Sequence, residues 1–262
     1  MTGRAARGYY PAEPQRKADD MPQRVADNAI AVRLSDGRTM CYAQYGASDG
    51  VVVVNAHGGL SCRLDVAAAD RQSHAAGVRL ISPDRPGVGR SDPRPGRTIA
   101  AWADDVAELL DLLGVERFAA MGWSMGGPYA AALGKVLPTR MTRVAIIAGA
   151  LPLSEPRVFA QLPAIDRTYT RLSVRAPWAA RTAFRIMGLA ARTAPGWYGR
   201  MAAGQLGPAD ADVLRRDGFD FFAQVSAEAL RQPDGVVEEY RAWMRPWGFA
   251  PEDLRVPVTV WG

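Results

Sequence analysis

The stretch that decides the fold is FAAMGWSMGGPYA at residues 118–130. Residues 117–121 are apolar enough for a buried strand, and residues 125–137 have the spacing of a helix. Ser124 therefore stands at a sharp turn from strand to helix. Such a turn forces the serine into a strained backbone conformation and leaves no room for side chains two residues away, where Gly122 and Gly126 stand.

Strands and helices alternate on both sides of this turn. The Asp36-Gly37 pair between two β-compatible segments predicts a hairpin. Four consecutive valines at residues 51–54 predict a strand that is buried on both faces. The alternation predicts an α/β fold with a mostly parallel sheet. The predicted strands are residues 29–34, 38–45, 51–54, 78–81, 117–121, 144–147 and 256–261, and the predicted helices before the insertion are 64–76, 99–113 and 125–137.

Four segments are predicted along the chain. Residues 1–27 are polar and without periodicity, which is typical of a disordered tail. Residues 28–150 form the α/β core, and residues 151–254 form a helical cap, because their apolar pattern is helical and interrupted by Pro and Gly. Residues 255–262 supply the seventh core strand, after which the core is incomplete.

Composition limits the possible partners. The net charge of +5 comes from arginines that are scattered along the chain, so we interpret them as a solvated surface and predict no nucleic-acid or membrane partner. Cys41 and Cys62 are too few for a disulfide framework or a zinc site, and we predict neither metal nor cofactor. With no apolar run of membrane-spanning length and no secretory signal, the predicted location is cytoplasmic. The oligomeric state is left open.

Two further motifs follow predicted strands. His57-Gly58-Gly59-Leu60 comes directly after the valine strand, and its glycines allow a backbone N–H to approach a ligand carbonyl. The alternative interpretation of this motif is a glycine turn in which backbone groups satisfy the histidine. The segment DRPGVGRSD at residues 84–92 lacks the third glycine of a dinucleotide fingerprint, so we interpret it as a structural turn.

Together these motifs resemble the α/β-hydrolase superfamily, above all small bacterial members with HGG, DRPGxGRSDP and GxSxGG motifs. The resemblance extends over residues 29–262. It implies an α/β-hydrolase fold with a helical cap after the sixth strand and cofactor-free hydrolysis of a small-molecule acyl substrate. It also implies roles in catalysis: Ser124 as nucleophile, with an oxyanion held by the N–H groups of Met125 and of Gly59, or of Leu60 as second choice.

The sequence departs from this family where the serine needs a base. In the family an acid follows the strand that corresponds to residues 256–261, and a histidine comes after one further strand, but this sequence ends at Gly262. His57 is expected to brace its loop, and His74 to lie on the surface at the far edge of the sheet. Glu155 stands where some relatives carry their acid. We therefore expect a C-terminally truncated chain, without the last strand and final helices, that is inactive or very weak.

Three hypotheses for the function remain. The first is a serine hydrolase whose base lies in a segment absent from this sequence. The second is a non-catalytic pseudoenzyme that binds a small molecule or partner in the cleft between cap and core. The third is completion of the site by another polypeptide, which cannot be a second copy of this chain, because that copy brings no further histidine.

Overall fold

The structure, a computed structural model, describes residues 28–262. The predicted N-terminal tail lies outside the described residues. In the described part, seven strands form one sheet in the order β1-β2-β4-β3-β5-β6-β7. Their bounds are β1 Ile30–Arg33, β2 Thr39–Gly46, β3 Val51–Ala56, β4 Val78–Pro83, β5 Phe118–Trp123, β6 Met141–Ile147 and β7 Val258–Trp261.

The sheet confirms the predicted fold class. β1 and β2 form the antiparallel hairpin, and β2 pairs antiparallel with β4. All other neighbours are parallel, which requires crossovers. β3 and β5 lie side by side with Ala56 opposite Gly122, so the loops that follow these two strands meet at one edge of the sheet.

From residue 28 onward, three α-helices precede β6: α1 Asp70–Ala75, α2 Trp102–Leu112 and α3 Gly127–Val136. On α2 the side chains of Trp102, Val106 and Leu109 are buried at helical spacing, as the sequence predicts. The first helix is shorter than predicted, because residues 64–66 form a turn and residues 67–69 a 3₁₀ turn, so that α1 begins only at Asp70.

Seven helices lie between β6 and β7 and are called here the helical insertion. They are α4 Pro156–Gln161, α5 Ala164–Arg175, α6 Pro177–Thr193, α7 Pro195–Ala203, α8 Pro208–Asp217, α9 Phe219–Ala229 and α10 Pro233–Trp243. None of the described helices is both long enough and apolar enough to cross a membrane.

Helix α10 is attached to the core by its backbone as well as by side chains. A Cβ atom on Gly235 would lie 1.8 Å from the carbonyl oxygen of Gly87, so the helix touches the loop after β4 with no side chain between. Arg97 Nη2 donates to the Gly235 carbonyl at 3.2 Å. Gln232 Nε2 donates to the Ser91 carbonyl at 2.8 Å.

The prediction that the arginines are solvated is wrong for three of them. Arg63, Arg85 and Arg97 are at most 4% exposed. Each faces a carboxylate: Arg63 pairs with Asp84 at 2.8 Å, and both Arg85 and Arg97 pair with Glu239. A buried guanidinium is tolerated when it is paired and hydrogen-bonded in this way, and the spacing of arginines along a sequence does not reveal such pairs.

Candidate active site

Ser124 stands at the turn between β5 and α3. Its φ of +50° is in the left-handed region, which costs a residue with a side chain about 1–2 kcal/mol. A short 3₁₀ turn, Ser124–Gly126, leads from the strand into the helix. Ala150 donates its N–H to the Ser124 carbonyl at 2.9 Å, which ties the turn to the segment after β6.

The two flanking glycines are required by close backbone approach. A Cβ on Gly122 would lie 2.3 Å from the carbonyl oxygen of Gly126. A Cβ on Gly126 would lie 1.9 Å from the carbonyl oxygen of Ala56, the last residue of β3. Larger residues at either position would therefore push the turn away from the sheet.

Positive φ values cluster at this edge. The non-glycine residues that have them in the described part of the chain are Leu60, Ser124 and Ala148. They follow β3, β5 and β6 respectively. Strained backbone of this kind is concentrated at functional sites in proteins. The edge of the sheet formed by these three loops is therefore the candidate active site.

His57 is fully buried and both of its ring nitrogens are engaged. Nδ1 lies 3.0 Å from the carbonyl oxygen of Gly58, and Nε2 lies 3.2 Å from the backbone nitrogen of Arg85. Nε2 therefore accepts the Arg85 N–H, and Nδ1 carries the proton. Burial, and then the positive charge of Arg85, hold the pKa of His57 well below its usual range. This arrangement fits the expected brace and leaves no nitrogen for a general base.

Arg85 holds the same loop through hydrogen bonds to two of its carbonyl groups. Its Nη2 donates to the Gly58 carbonyl at 2.8 Å and its Nη1 donates to the His57 carbonyl. Its Nε donates to Glu239 Oε1 at 2.6 Å, and its guanidinium lies 4.5 Å from the ring centroid of Tyr129. The DRPGVGRSD segment is thus more than a turn, because its Arg85 holds residues 57–60, called here the glycine loop.

The hydrogen bond from Arg85 to the Gly58 carbonyl sets the direction of the peptide that joins Gly58 to Gly59. The chain has no cis peptide bond in its described part, so the N–H of Gly59 points opposite to the Gly58 carbonyl. Since that carbonyl faces Arg85, the Gly59 N–H faces away from the buried arginine. Gly59 also lies beside Met125: a Cβ there would be 3.4 Å from Met125 Cγ and 3.0 Å from the Trp243 ring.

Asp65 is a site residue that the sequence does not reveal. Its Oδ2 accepts the indole N–H of Trp123 at 2.7 Å and the N–H of Gly58 at 3.3 Å. Its Oδ1 accepts from Asn55 Nδ2 at 2.8 Å. Burial raises the pKa of this carboxyl to about 6, against the opposing effect of those hydrogen bonds.

The other residues considered as base or acid are exposed, and no hydrogen bond joins them to Ser124 in the described part of the chain. His74 is exposed on α1, which packs on β2 and β4 at the side of the sheet away from β5. Glu155 is exposed just before α4. Within residues 28–262 no hydrogen bond reaches the Ser124 hydroxyl. The described residues therefore place a serine at the turn without a base beside it.

A cavity of about 330 Å³ opens between the loops after β3 and β4 and helices α6, α7 and α9. Four arginines line it: Arg63, Arg90, Arg192 and Arg231. Two carboxylates, Asp220 and Glu228, line it as well. Glu228 is shared by Arg63 at 2.8 Å, Arg90 at 2.9 Å and Arg231 at 3.5 Å, which leaves an excess of positive charge around the cavity.

Comparison with known proteins gives the class. A sequence model of the alpha/beta hydrolase fold matches residues 51–244, most of this chain. The chain belongs to the α/β-hydrolase family.

Its relatives vary in function. The chain is 33% identical over 140 residues to the dihydrolipoyllysine-residue acetyltransferase component of the acetoin cleaving system of Cupriavidus necator, covering 53% of this chain and 37% of that protein. It is 33% identical over 129 residues to a non-heme chloroperoxidase of Streptomyces lividans, covering 47% and 45%. The chain thus spans less than half the length of these relatives. A solved esterase from Thermogutta terrifontis shares the fold with a TM-score of 0.57 at 21% identity, covering 88% of this chain and 78% of that one.

Proposed function

We propose that this chain carries the nucleophile and oxyanion hole of a serine hydrolase that acts on a small-molecule acyl substrate. The observation that supports this most is the positive φ of Ser124 between two glycines that admit no side chain. In this proposal the Ser124 Oγ attacks the acyl carbon and the carbonyl oxygen becomes an oxyanion. The N–H groups of Met125 and Gly59 bind that oxyanion, with Leu60 the alternative to Gly59.

The charge behind the glycine loop supports this assignment. Arg85 and Arg97 share the single carboxylate of Glu239, so the cluster has a surplus positive charge. Arg85 donates to the carbonyl of the peptide whose other end is the Gly59 N–H. A hydrogen bond to that carbonyl polarises the peptide and makes its N–H a stronger donor toward an oxyanion.

The proton of Ser124 needs an acceptor that neither histidine of this sequence provides. His57 is engaged through both nitrogens, and His74 lies on the far side of the sheet. We propose that the 262-residue chain is therefore inactive or very slow. In well-studied triad enzymes an oxyanion hole and binding alone retain roughly 10³–10⁴-fold acceleration over water, which makes slow acylation of Ser124 measurable.

A fluorophosphonate probe tests this function. The Ser124 oxygen would bond to phosphorus, fluoride would leave, and the serine proton would pass to solvent. We expect peptide mass spectrometry to find the adduct on Ser124, and Ser124→Ala to remove it. Added imidazole is expected to accelerate labelling by serving as the external base. Labelling that is equal on several serines, or unchanged in Ser124→Ala, would refute the proposal.

A second candidate function rests on the arginine-lined cavity between core and insertion. Its surplus charge favours binding of a small anion without catalysis, which is the pseudoenzyme alternative. Calorimetric titration with inorganic phosphate and with succinate tests this. Binding that Arg192→Ala weakens, and that exposed Arg175→Ala leaves unchanged, together with an unreactive Ser124, would favour this function over hydrolysis.

A further inference from the structure

We propose that Asp65 is a positioning residue. Its ionised carboxylate holds both the glycine loop and the Trp123 side chain in place beside Ser124. The catalytic part of this inference rests on the proposed function, whereas the positioning itself does not. Asp65 belongs to neither the glycine motif nor the turn around Ser124, and it joins the two.

The geometry shows one carboxylate with three donors. Trp123 on β5 and Gly58 after β3 both donate to Oδ2, and Asn55 on β3 donates to Oδ1. All three partners are N–H groups that can only donate, so the ionised carboxylate satisfies all of them. A protonated carboxyl keeps lone pairs for these donors but loses the negative charge, so the three hydrogen bonds become weaker.

Trp123 is the part of this network that reaches the site. It immediately precedes Ser124, and 38% of it is exposed. Its ring lies against Gly58, where a Cβ would come within 2.6 Å of it. The indole therefore covers the glycine loop, and its hydrogen bond to Asp65 sets its orientation.

Gly58 is held through both of its backbone groups. Its N–H, in the peptide that joins it to His57, is accepted by Asp65, while its carbonyl, in the peptide that carries the Gly59 N–H, contacts Arg85 and His57. Removing the Asp65 acceptor leaves Gly58 held through its carbonyl alone. Rotation about the Gly58 backbone is then less restrained, and the Gly59 N–H changes direction with it.

Among residues 28–262, the titratable neighbours of Asp65 do not compete with it near neutral pH. Burial raises the pKa of Tyr45 on β2 and of Cys62 on the same loop, so both stay neutral. The pKa of His57 is lowered, so it stays neutral too. Arg85, from the loop after β4, lowers the pKa of Asp65 through its positive charge, against the larger effect of burial. Asn55 and Trp123 do not titrate.

The test follows the indole N–H of Trp123 by ¹H–¹⁵N spectroscopy of the full chain, with Trp123→Phe to assign the signal. We expect the signal to move with a midpoint near pH 6 in the wild type, and not to titrate in Asp65→Asn. The matched control is Asp70→Asn: Asp70 also accepts a backbone N–H, from Gly46 at 2.6 Å, but on α1. An indole signal that is identical in wild type and Asp65→Asn would overturn the proposal.

Labelling of Ser124 by the fluorophosphonate gives the second readout. We expect Asp65→Asn to slow it about tenfold at pH 7.5, about 1.4 kcal/mol, and to abolish the part of its pH dependence that is centred near 6. If Asp65→Asn does not fold, Trp123→Phe removes the indole bond from the donor side and should weaken the same pH dependence, because Gly58 remains a donor to Asp65; an unchanged pH dependence would then count against the proposal. If Ser124 never reacts, the proposed function fails, while the indole signal still decides the role of Asp65.

Discussion

Replacing Glu239 with Gln should destabilise the protein strongly, because Glu239 is the carboxylate between two buried arginines. Its side chain is 1% exposed, and those of Arg85 and Arg97 are 0% and 3% exposed. Glutamine keeps the size but not the charge, so two guanidinium groups would remain buried without a counter-ion. Breaking a buried pair in this way costs about 3–5 kcal/mol.

The neighbouring residue provides a matched control. Glu238 lies on the same helix and pairs only locally with Arg241 at 2.7 Å, and its side chain is 31% exposed. Pairs of this type contribute about 0.3–0.5 kcal/mol. Glu238→Gln should therefore leave the free energy of unfolding nearly unchanged, although it removes the same charge from the same helix.

Urea denaturation and thermal melting of the wild type, Glu239→Gln and Glu238→Gln measure the difference in free energy of unfolding. A loss of 3–5 kcal/mol corresponds to a fall in the melting temperature of roughly 6–20 °C for a domain of this size. If Glu239→Gln lowers the free energy of unfolding by less than about 1 kcal/mol, the ion pairs of Glu239 with Arg85 and Arg97 do not attach α10 to the core. The argument that Arg85 holds the glycine loop is then refuted as well.

Two further predictions concern the backbone and pH. Gly126→Ala should cost about 3 kcal/mol or more, because its Cβ would lie 1.9 Å from the Ala56 carbonyl oxygen; Gly207→Ala, which meets nothing within 4 Å, should be near neutral in the same urea assay. Burial raises the pKa of Asp65 from 3.8 to about 6, so the folded state holds this proton more tightly than the unfolded chain, and the stability from this group falls as pH rises between these values. Asp65→Asn lacks that loss, so its free energy of unfolding relative to wild type should rise by about 2–3 kcal/mol from pH 4 to 7; a flat difference across that range would contradict the assigned burial.

Local patterns made the sheet and the turn at Ser124 predictable. The valine run of β3 and the hairpin around Gly37 are signals contained within a few residues, and the structure has both. The alanine-rich segment before β4 misled the prediction, since helix propensity says nothing about whether Leu64 and Val66 will be buried in a turn.

The supports of the candidate site could not be predicted in the same way. Arg85 and Glu239 are 154 residues apart, and Asp65 and Trp123 are 58 apart. Neither pair has a spacing that recurs or a motif that contains both members. Long-range contacts of this kind are fixed by the packing of the insertion and loops on the core, so a single sequence shows only an unremarkable arginine and aspartate.

The backbone contact between Gly87 and Gly235 has a consequence for engineering by segment exchange. Helix α10 packs on α5 and α6 of the insertion, and its first turn also meets the core, where any Cβ at the crossing with Gly87 would force the two segments apart. A chimera that replaces only the helices before α10 keeps the contact between Gly87 and Gly235. It should also retain the hydrogen bonds by which Arg85 holds the glycine loop. A chimera cut after Trp243 imports a foreign helix that must also supply a glycine opposite Gly87 and an acid opposite Arg85.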